Sequence, residues 1–578
     1  MKVLKFGGTS VGNSENIKKV VSQITSLVKS GDHLCIVSSA LAGVTNLLIK
    51  AGEHAANNEL SYKETYNEIV ERHHKIISEL DLGHAETDLL KTIDSLLDDI
   101  KDLLHGINLI KEYTKRSNDL LTSYGEQLSC NIISVAIRNA GTDCTYLDAR
   151  RLIQTDDRFG NARVDFVTSN EKIKAYFEAN NELQVVTGFI AVTKKFETTT
   201  LGRGGSDYTA SIIAGALNAE EVQIWTDVDG ILTADPRKVK RAFPLKEVTY
   251  IEAMEMSHFG AKVIYPPTVL PLIKNKIPIR IKNTFNPDFN GTLISEGNED
   301  DKMVVKGVSS IDDLALINVE GGGMVGVTGI AARLFKALSR NDINIILITQ
   351  ASSEFSICLA VDPENAELAR EVISEEFELE IKNGKINKIE VDYEVAVVAV
   401  IGEHMKRTPG ISAKLFTSLG RNGINVIAVA QGSSEYNVSV VISKTDLSKA
   451  LNSLHEAFFL SDKMTLNVFM IGVGLIGGTL MTQMQRQMGH LLDHNNIRIN
   501  IVAIANSKKM LLDEKGIDIS KWKQSLESEG TTMNVQQYFD KLIEMNLSNS
   551  VFVDSTSSAA MTDHYYDVLN NSISIVTP

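Results

Sequence analysis

The chain has 578 residues, 43% of them hydrophobic and 23% charged, enough for several independently packed cores. A formal net charge of -15, with no basic stripe carrying interleaved aromatics, excludes a nucleic-acid footprint and means that any anion site must gather its own local cations. The four cysteines form no C-x-x-C pair, which excludes a disulfide framework or a cysteine zinc site and fits a reducing cytoplasm; no apolar run reaches the roughly 18 residues of a membrane span, so no membrane is expected.

In chain order, Val3-Leu4-Lys5-Phe6 reads as a short buried strand that runs into Gly7-Gly8-Thr9-Ser10 and a polar, helix-compatible segment. Paired glycines let backbone N–H groups approach an anion, Ser10 adds a hydroxyl and Lys5 a cation, which suits phosphate; the same residues also fit a plain strand-end turn. Ile17 to Val28 has helical spacing. Leu34 to Ser39 reads as a buried parallel strand ending in small residues, where an open α/β sheet places ligands, so Ser39 and Thr45 are candidate contacts, with a helix cap the other reading of Thr45. Glu53 to Leu121 is expected to be a helical hairpin over the sheet, with His73-His74 on its solvated face, and Ser123-Tyr124-Gly125-Glu126 a helix start.

Gln184 to Ile190 is a further strand and turn. Leu201-Gly202-Arg203-Gly204-Gly205-Ser206-Asp207 then combines backbone donors, a fork-shaped cation and a helix cap before an apolar helix over Ala210 to Leu217. Val222 to Trp225 is a strand ending in Thr226-Asp227-Val228-Asp229-Gly230. Asp235-Pro236-Arg237 follows, and these groups fit a nucleotide or, equally, a pair of Asp turns. Gly260-Ala261-Lys262 puts one more lysine near an expected strand start.

These motifs, in this order, resemble the amino-acid kinase family and within it the aspartokinases, over Met1 to about Ile294; Tyr124 stands where a histidine is usual. The resemblance implies transfer of the γ-phosphoryl of Mg-ATP to the β-carboxylate of L-aspartate. It makes Lys5 and Asp207 the catalytic pair, with Ser39, Thr45, Glu126 and Arg203 at the aspartate. Lys5, Gly7, Gly8, Ser10, Thr226, Asp227, Arg237 and Lys262 go to the ATP, and no protein metal site is implied. Kinases of this fold for glutamate, UMP or carbamate, and a non-catalytic regulatory subunit, are the rival readings.

An internal repeat follows. Asp342-Ile343-Asn344 to Gln350-Ala351-Ser352-Ser353-Glu354 returns 81 residues later as Gly423-Ile424-Asn425 to Gln431-Gly432-Ser433-Ser434-Glu435, each unit reading strand, helix, strand, strand with a hairpin signal. This resembles a tandem of ACT domains, with Val304 to Ser310 expected to pair in the second module. Asn344, Gln350, Asn425 and Gln431 are the expected effector contacts, and a homodimer or homotetramer is expected through these modules.

Beyond Leu466, a strand leads into Gly472-Val473-Gly474-Leu475-Ile476-Gly477-Gly478 and a helix over Thr479 to Met488, a dinucleotide fingerprint in its proper context. The next strand, Asn500 to Ala505, ends in Asn506-Ser507-Lys508-Lys509, which offers no carboxylate for a ribose and admits NADP(H) as well as NAD(H). The region resembles the start of homoserine dehydrogenase. In that family Val-Thr-Pro leads on to the homoserine-binding and catalytic part, so a truncated dehydrogenase half without hydride transfer is expected. The whole resembles the bifunctional aspartokinase/homoserine dehydrogenases, which implies L-threonine as effector. The expected fold is an α/β amino-acid kinase domain (1–296), a mostly parallel sheet with helices on both faces; then two α+β ACT domains (303–389 and 390–462); then a partial Rossmann domain (465–578).

Overall fold

The structure is a computed structural model that describes residues 1–260, 264–297, 303–350, 355–460 and 464–577. The chain divides into two compact units, Met1–Leu232 with Pro244–Lys302, and Thr233–Phe243 with Met303–Pro578.

The first unit is organised by strands β1 (Lys2–Phe6), β2 (Leu34–Ser38), β3 (Cys144–Leu147), β4 (Gln154–Thr155), β5 (Leu183–Thr187), β6 (Ile190–Thr193), β7 (Thr198–Thr200), β8 (Glu221–Thr226), β9 (Glu247–Thr249), β10 (Ile279–Asn283) and β11 (Thr292–Ser295). Among the described residues they form an eight-stranded sheet in the order β3-β5-β2-β1-β8-β10-β11-β9 and a small sheet β4-β6-β7. From β3 to β10 every pairing in the large sheet is parallel. Because β2 and β5 are buried at every residue, they read as near-continuous apolar runs with no alternation, as parallel strands covered on both faces must. Lys5 breaks that pattern on the central strand.

The helices are α1 (Ser14–Lys29), α2 (Val44–Ala56), α3 (Ser61–Leu80), α4 (Ala85–Ile110), α5 (Lys115–Asn139), α6 (Phe166–Ala179), α7 (Gly205–Leu217), α8 (Tyr250–His258) and α9 (Pro266–Ile273). Helix α1 shows the reason for the fold's first layer: Ile17, Val20, Val21 and Ile24 recur at helical spacing and join Leu4, Phe6 and Trp225 in one core. The expected hairpin over Glu53 to Leu121 is present as α3 and α4, whose Ile69, Ile76, Ile93 and Leu97 enter the same core.

Several local expectations change. His73 is not solvated; it is fully buried, with Nδ1 bonded to the Ile69 carbonyl at 2.6 Å, and burial lowers its pKa to about 4. Only His74 faces out, against Asp94. Gly125-Glu126 does not start a helix but lies inside α5. Gly125 is required there because a Cβ would stand 2.9 Å from the Ala40 methyl. The strand start expected at Ala261-Lys262-Val263 lies outside the described residues; beyond it α9 is opened by Pro266-Pro267 at its first turn, where a missing N–H costs nothing. Lys262 lies outside the described residues.

In the second unit, β12 (Gly307–Glu320), β13 (Leu347–Gln350), β14 (Ser356–Val361), β15 (Glu390–Ile401), β16 (Ala428–Ala430) and β17 (Asn437–Ser443) form one sheet in the order β13-β14-β12-β15-β17-β16. Helices α10 (Ile330–Arg340), α11 (Pro363–Glu376), α12 (Glu378–Lys382), α13 (Ile411–Arg421) and α14 (Leu447–Phe459) cover it. The long strands β12 and β15 pair antiparallel in two blocks, Gly307–Ile311 against Val397–Ile401 and Leu314–Asn318 against Glu390–Val395, with one register shift between them and a second inside the latter block, between Leu314 and Leu316. The repeat's two cores are therefore stitched through shared strands. The hairpin signal at Ala351-Ser352-Ser353 lies outside the described residues; its counterpart joins β16 to β17.

The last stretch has β18 (Met464–Ile471), α15 (Leu475–Asn495), β19 (Ile497–Ala505), β20 (Lys509–Leu512), β21 (Thr531–Thr532), β22 (Ser550–Asp554) and β23 (Ser574–Val576). Its order is β21-β20-β19-β18-β22-β23, with β19, β18, β22 and β23 parallel. Helix α15 begins four residues before the expected Thr479 and runs seven beyond Met488. Among the described residues no helix is long and apolar enough to cross a membrane.

Candidate active site and dinucleotide end

The carboxyl ends of β1, β2 and β8 open onto one edge of the first sheet, and a 340 Å³ cavity lies there. Lys5, Ser39, Thr45, Glu126, Arg203 and Asp207, assigned to catalysis and to the aspartate from their motifs, all line it. Two loops are interlocked at its base. The Gly8 carbonyl accepts from the Ala42 N–H at 3.1 Å, and a Cβ on Gly8 would stand 3.0 Å from the Ala40 oxygen. The glycine here is needed because the strand-end loop of β2 passes over it.

Lys5 and Asp207 meet across 202 residues of sequence in a 2.6 Å ion pair, with about a tenth of each side chain exposed. Asp207 sits in the first turn of α7, where the helix dipole favours a carboxylate. Glu126 reaches in from α5 and is 3% exposed. Its Oε1 accepts from the Ala40 N–H at 3.2 Å, while Oε2 is buried with no hydrogen-bond partner. Burial pushes its pKa up to about 8, against the smaller pull of that N–H and of the Lys5 charge. Arg203 is exposed into the cavity, and among the described residues it has no ion-pair or hydrogen-bond partner. A free guanidinium and a half-satisfied buried carboxylate in one cavity suit a ligand carrying both a carboxylate and an ammonium.

The phosphate and nucleotide assignments divide. Gly7 and Gly8 lie at the strand end beside Lys5, whose Nζ would be 3.5 Å from a Cβ on Gly7. Ser10 is fully buried outside the cavity lining, with its hydroxyl 2.7 Å from the Thr284 Oγ1 and 3.3 Å from the Trp225 carbonyl, so it ties the ends of β1, β8 and β10 together. Thr226 and Asp227 close β8, where the Thr226 hydroxyl bonds Asp227 at 3.2 Å, outside the cavity lining. Arg237 lies on Thr233–Phe243, which belongs to the second unit, and there it is held by Asp235 with Nη2–Oδ2 at 2.7 Å. Asn46, Phe189 and Ser206 also line the cavity and were missed. Asn46 had a signal in its neighbour Thr45, whereas Phe189 had none.

In the second unit, three glycines at the head of α15 have three different reasons. Gly472 has φ +93° and would press a Cβ to 2.6 Å from the Ser555 backbone, and Gly477 would meet the Gly472 carbonyl at 2.2 Å. Gly474 has open space around it. The α15 N-terminus lacks a side-chain cap, and Leu475 and Ile476 beside it are 89% and 59% exposed. Uncapped N–H groups, a clear approach at Gly474 and apolar side chains left in water fit a dinucleotide whose pyrophosphate would sit on the helix and whose flat rings would cover them. Asn344, Gln350, Asn425 and Gln431 are all exposed at the ends of β13 and β16. These edge strands meet where the Thr349 hydroxyl donates to the Val429 carbonyl at 2.9 Å.

Comparison with known proteins agrees with this geometry. The amino acid kinase family matches residues 1–283, the ACT domain residues 317–377 and 398–458, and the homoserine dehydrogenase NAD binding domain residues 472–578. The bifunctional aspartokinase/homoserine dehydrogenase of Haemophilus influenzae is 37% identical over 100% of this chain and 71% of its own length. The chain belongs to the bifunctional aspartokinase/homoserine dehydrogenase family. Bifunctional aspartokinase/homoserine dehydrogenase 1 of Arabidopsis thaliana, a chloroplastic protein, is 37% identical over 100% of this chain, which spans 64% of its length. Among solved structures, E. coli aspartokinase III in complex with aspartate and ADP is 30% identical with a TM-score of 0.69, covering 79% of this chain and 100% of its own. The same enzyme in complex with lysine and aspartate gives a TM-score of 0.63 at 29% identity, over 79% of this chain and 99% of its own. The family membership accounts for an amino-acid kinase sheet, an ACT tandem and a Rossmann-like sheet in one chain.

Proposed function

We propose that this chain is an aspartate kinase, forming 4-phospho-L-aspartate and ADP from L-aspartate and Mg-ATP. The observation that carries the reading is the single cavity in which a Lys5–Asp207 ion pair adjoins an unpaired Arg203 and the half-satisfied Glu126. Arg203 takes the α-carboxylate, Glu126 the ammonium, and Ser39 and Thr45 complete the aspartate site. The β-carboxylate is ionised at neutral pH and needs no base, so the protein supplies placement and charge neutralisation. Lys5 carries charge for the transferring phosphoryl group, Asp207 holds Lys5 in place, and Gly7 and Gly8 let phosphate oxygens approach the backbone, where Gly8 offers its N–H while that of Gly7 is held by the Trp225 carbonyl at 3.1 Å. Thr226, Asp227 and Lys262 serve the nucleotide. Magnesium arrives with the ATP; among the described residues there is no cluster of three metal-ligating side chains.

The ACT tandem would bind L-threonine through Asn344, Gln350, Asn425 and Gln431, and would join two or four chains. NADP(H) or NAD(H) would bind at Gly472, Gly474, Leu475, Ile476 and Gly477, with Lys508 near a 2′-phosphate. The four free cysteines suit a cytoplasmic setting.

The test is ADP release with ATP, Mg²⁺ and aspartate, titrated with L-threonine and separately with L-lysine. Lys5→Met is expected to lower kcat about a thousandfold, roughly 4 kcal/mol of barrier. Turnover of that variant within about threefold of the parent would remove the role of Lys5. Because aspartate binding must ionise Glu126, the aspartate KM is expected to fall as pH rises from 6 toward 8, up to about tenfold per unit, and to flatten above. A flat KM in that window would remove the ammonium role.

A further inference from the structure

In the first unit, one buried carboxylate outside the cavity lining has no cation beside it among the described residues. Asp119, on α5 two turns before Glu126, is 0% exposed. Its Oδ2 accepts from the Gly160 N–H at 2.8 Å and the Thr200 N–H at 3.0 Å, and its Oδ1 accepts from the Thr200 hydroxyl at 2.8 Å. Among the described residues no counter-charge explains a carboxylate here; three convergent donors from two loops do.

Those two loops enclose the arginine clamp. Thr200 ends β7, and Leu201 follows with its N–H on the Phe189 carbonyl at 2.9 Å. Gly202 to Gly205 then close a turn, with the Gly205 N–H on the Gly202 carbonyl at 3.0 Å and φ of +74° and +67° at Gly202 and Gly204. On its other side Gly202 abuts the second loop held by Asp119: a Cβ there would be 2.9 Å from Asn161 Oδ1 and 3.3 Å from the Gly160 oxygen. The flanks of Arg203 are thus fixed while its side chain stays free. Two further clasps join α5 to β7's surroundings, Arg116–Glu197 and the Arg150 bonds to Gln127 and Thr198, but they are more exposed and accordingly weaker.

We propose that Asp119 is a positioning residue that sets the Arg203 clamp for the substrate carboxylate, so that one helix, α5, holds both ends of the amino-acid substrate, the ammonium directly through Glu126 and the carboxylate indirectly through Asp119. This rests on Arg203 and Glu126 forming the aspartate site as read above. A rigid helix carrying both anchors fixes their separation, and that separation selects an amino acid of one backbone length and orientation.

The experiment is steady-state ADP release by the full chain carrying Asp119→Ala, Asp119→Asn or Thr200→Val, each with and without Arg203→Ala. Asp119→Ala is expected to raise the aspartate KM about tenfold or more while the ATP KM stays within about twofold. On the Arg203→Ala background the same change is expected to add less than about twofold, because a residue acting through the arginine has nothing left to position. Asp119→Asn can turn its oxygen to the two N–H groups and its amide to the Thr200 hydroxyl, and is expected to stay within about threefold of the parent. If Asp119→Ala does not fold, Thr200→Val reads the same bond and is expected to raise the aspartate KM about threefold. Equal rises in both KM values, or a full effect of Asp119→Ala without Arg203, would overturn the proposal. Arg203→Ala with an unchanged aspartate KM would overturn the site reading and this inference with it; an effect of Arg203→Ala with none from Asp119 would overturn the inference alone.

Discussion

The two copies of the 81-residue repeat share strands and even individual bonds, yet among the described residues it is the second whose side chains meet the dinucleotide-binding part. Asn341 and Asn422 are equivalent: each follows its helix and returns its amide to the carbonyl four residues earlier, Ala337 or Ser418. Only Asn422 is buried, and its oxygen accepts from the Asn549 N–H at 3.0 Å. The next residue is left-handed in both copies, Asp342 at φ +53° and Gly423 at +68°. Asp342 stands in water, whereas a Cβ on Gly423 would lie 1.6 Å from Ser572 Oγ and 2.5 Å from Ser572 Cβ. Around this contact Glu456 on α14 accepts from the Thr465 N–H and from the Asn549 amide. The copy with a neighbour at this point carries glycine there, and the copy without one carries aspartate.

That contrast can be broken by exchanging the residues. Gly423→Asp should be the most damaging, because rotating the Ser572 hydroxyl leaves its Cβ in the way and backbone must move. A loss of about 3 kcal/mol or more is expected, seen as a lowered midpoint for the dinucleotide-binding part in denaturant or limited proteolysis. The reciprocal Asp342→Gly, in open space, should change stability by less than about 1 kcal/mol. If both exchanges were equally mild, the packing at Ser572 would not be what separates the copies. Asn422→Ala comes next, at about 1–2 kcal/mol, since it leaves the Asn549 N–H without its acceptor, while Asn341→Ala should cost about half a kcal/mol. Equal costs would mean that the Asn549 bond contributes nothing.

The sequence shows the repeat but not which copy is covered, since Gly423 looks like any turn glycine until Ser572, nearly 150 residues on, is known to lie against it. The same holds in the cavity of the first unit. The turn at Gly202, Arg203 and Gly204 was readable locally because glycines around an arginine suggest a left-handed loop, which the φ of Gly202 and Gly204 bears out, and the tight turn at Gly472 was readable in the same way. What failed was long-range pairing. Ser10 looks like a phosphate donor beside Gly7-Gly8, but Thr284 claims its hydroxyl. Gly125 looks like a helix start, but it serves the Ala40 contact in mid-helix. Asp119 carries no local signal at all, because its three donors come from 41 and 81 residues away. Local chemistry thus marks residues that line the cavity, and tertiary partners decide which neighbouring polar residues are turned away from it.

A smaller difference separates the copies at the middle of their first helices. Arg333 on α10 reaches Glu376 at 2.8 Å and Glu380 at 2.6 Å and lies over Phe377, with its centre 4.6 Å from the ring. Its counterpart Lys414 on α13 lies over Phe458 at 5.3 Å, with no recorded carboxylate partner among the described residues. The Arg333 side chain is 39% exposed, so screening leaves each ion pair little weight, and Arg333→Ala is expected to cost at most about 1 kcal/mol in 0.15 M salt. Lys414→Ala should cost about 0.5 kcal/mol or less, as an exposed cation over a ring does. Raising the salt to about 1 M should erase most of the ionic part of the first loss and little of the second, because the Debye length falls to roughly 3 Å while ring contact persists. Measured by chemical denaturation at both salt concentrations, a gap between the two variants that survives high salt would assign the Arg333 effect to its packing on Phe377 and α12. A gap that closes would assign it to charge, and would make α12 an element held on the first module largely by the ionic contact that the second module lacks.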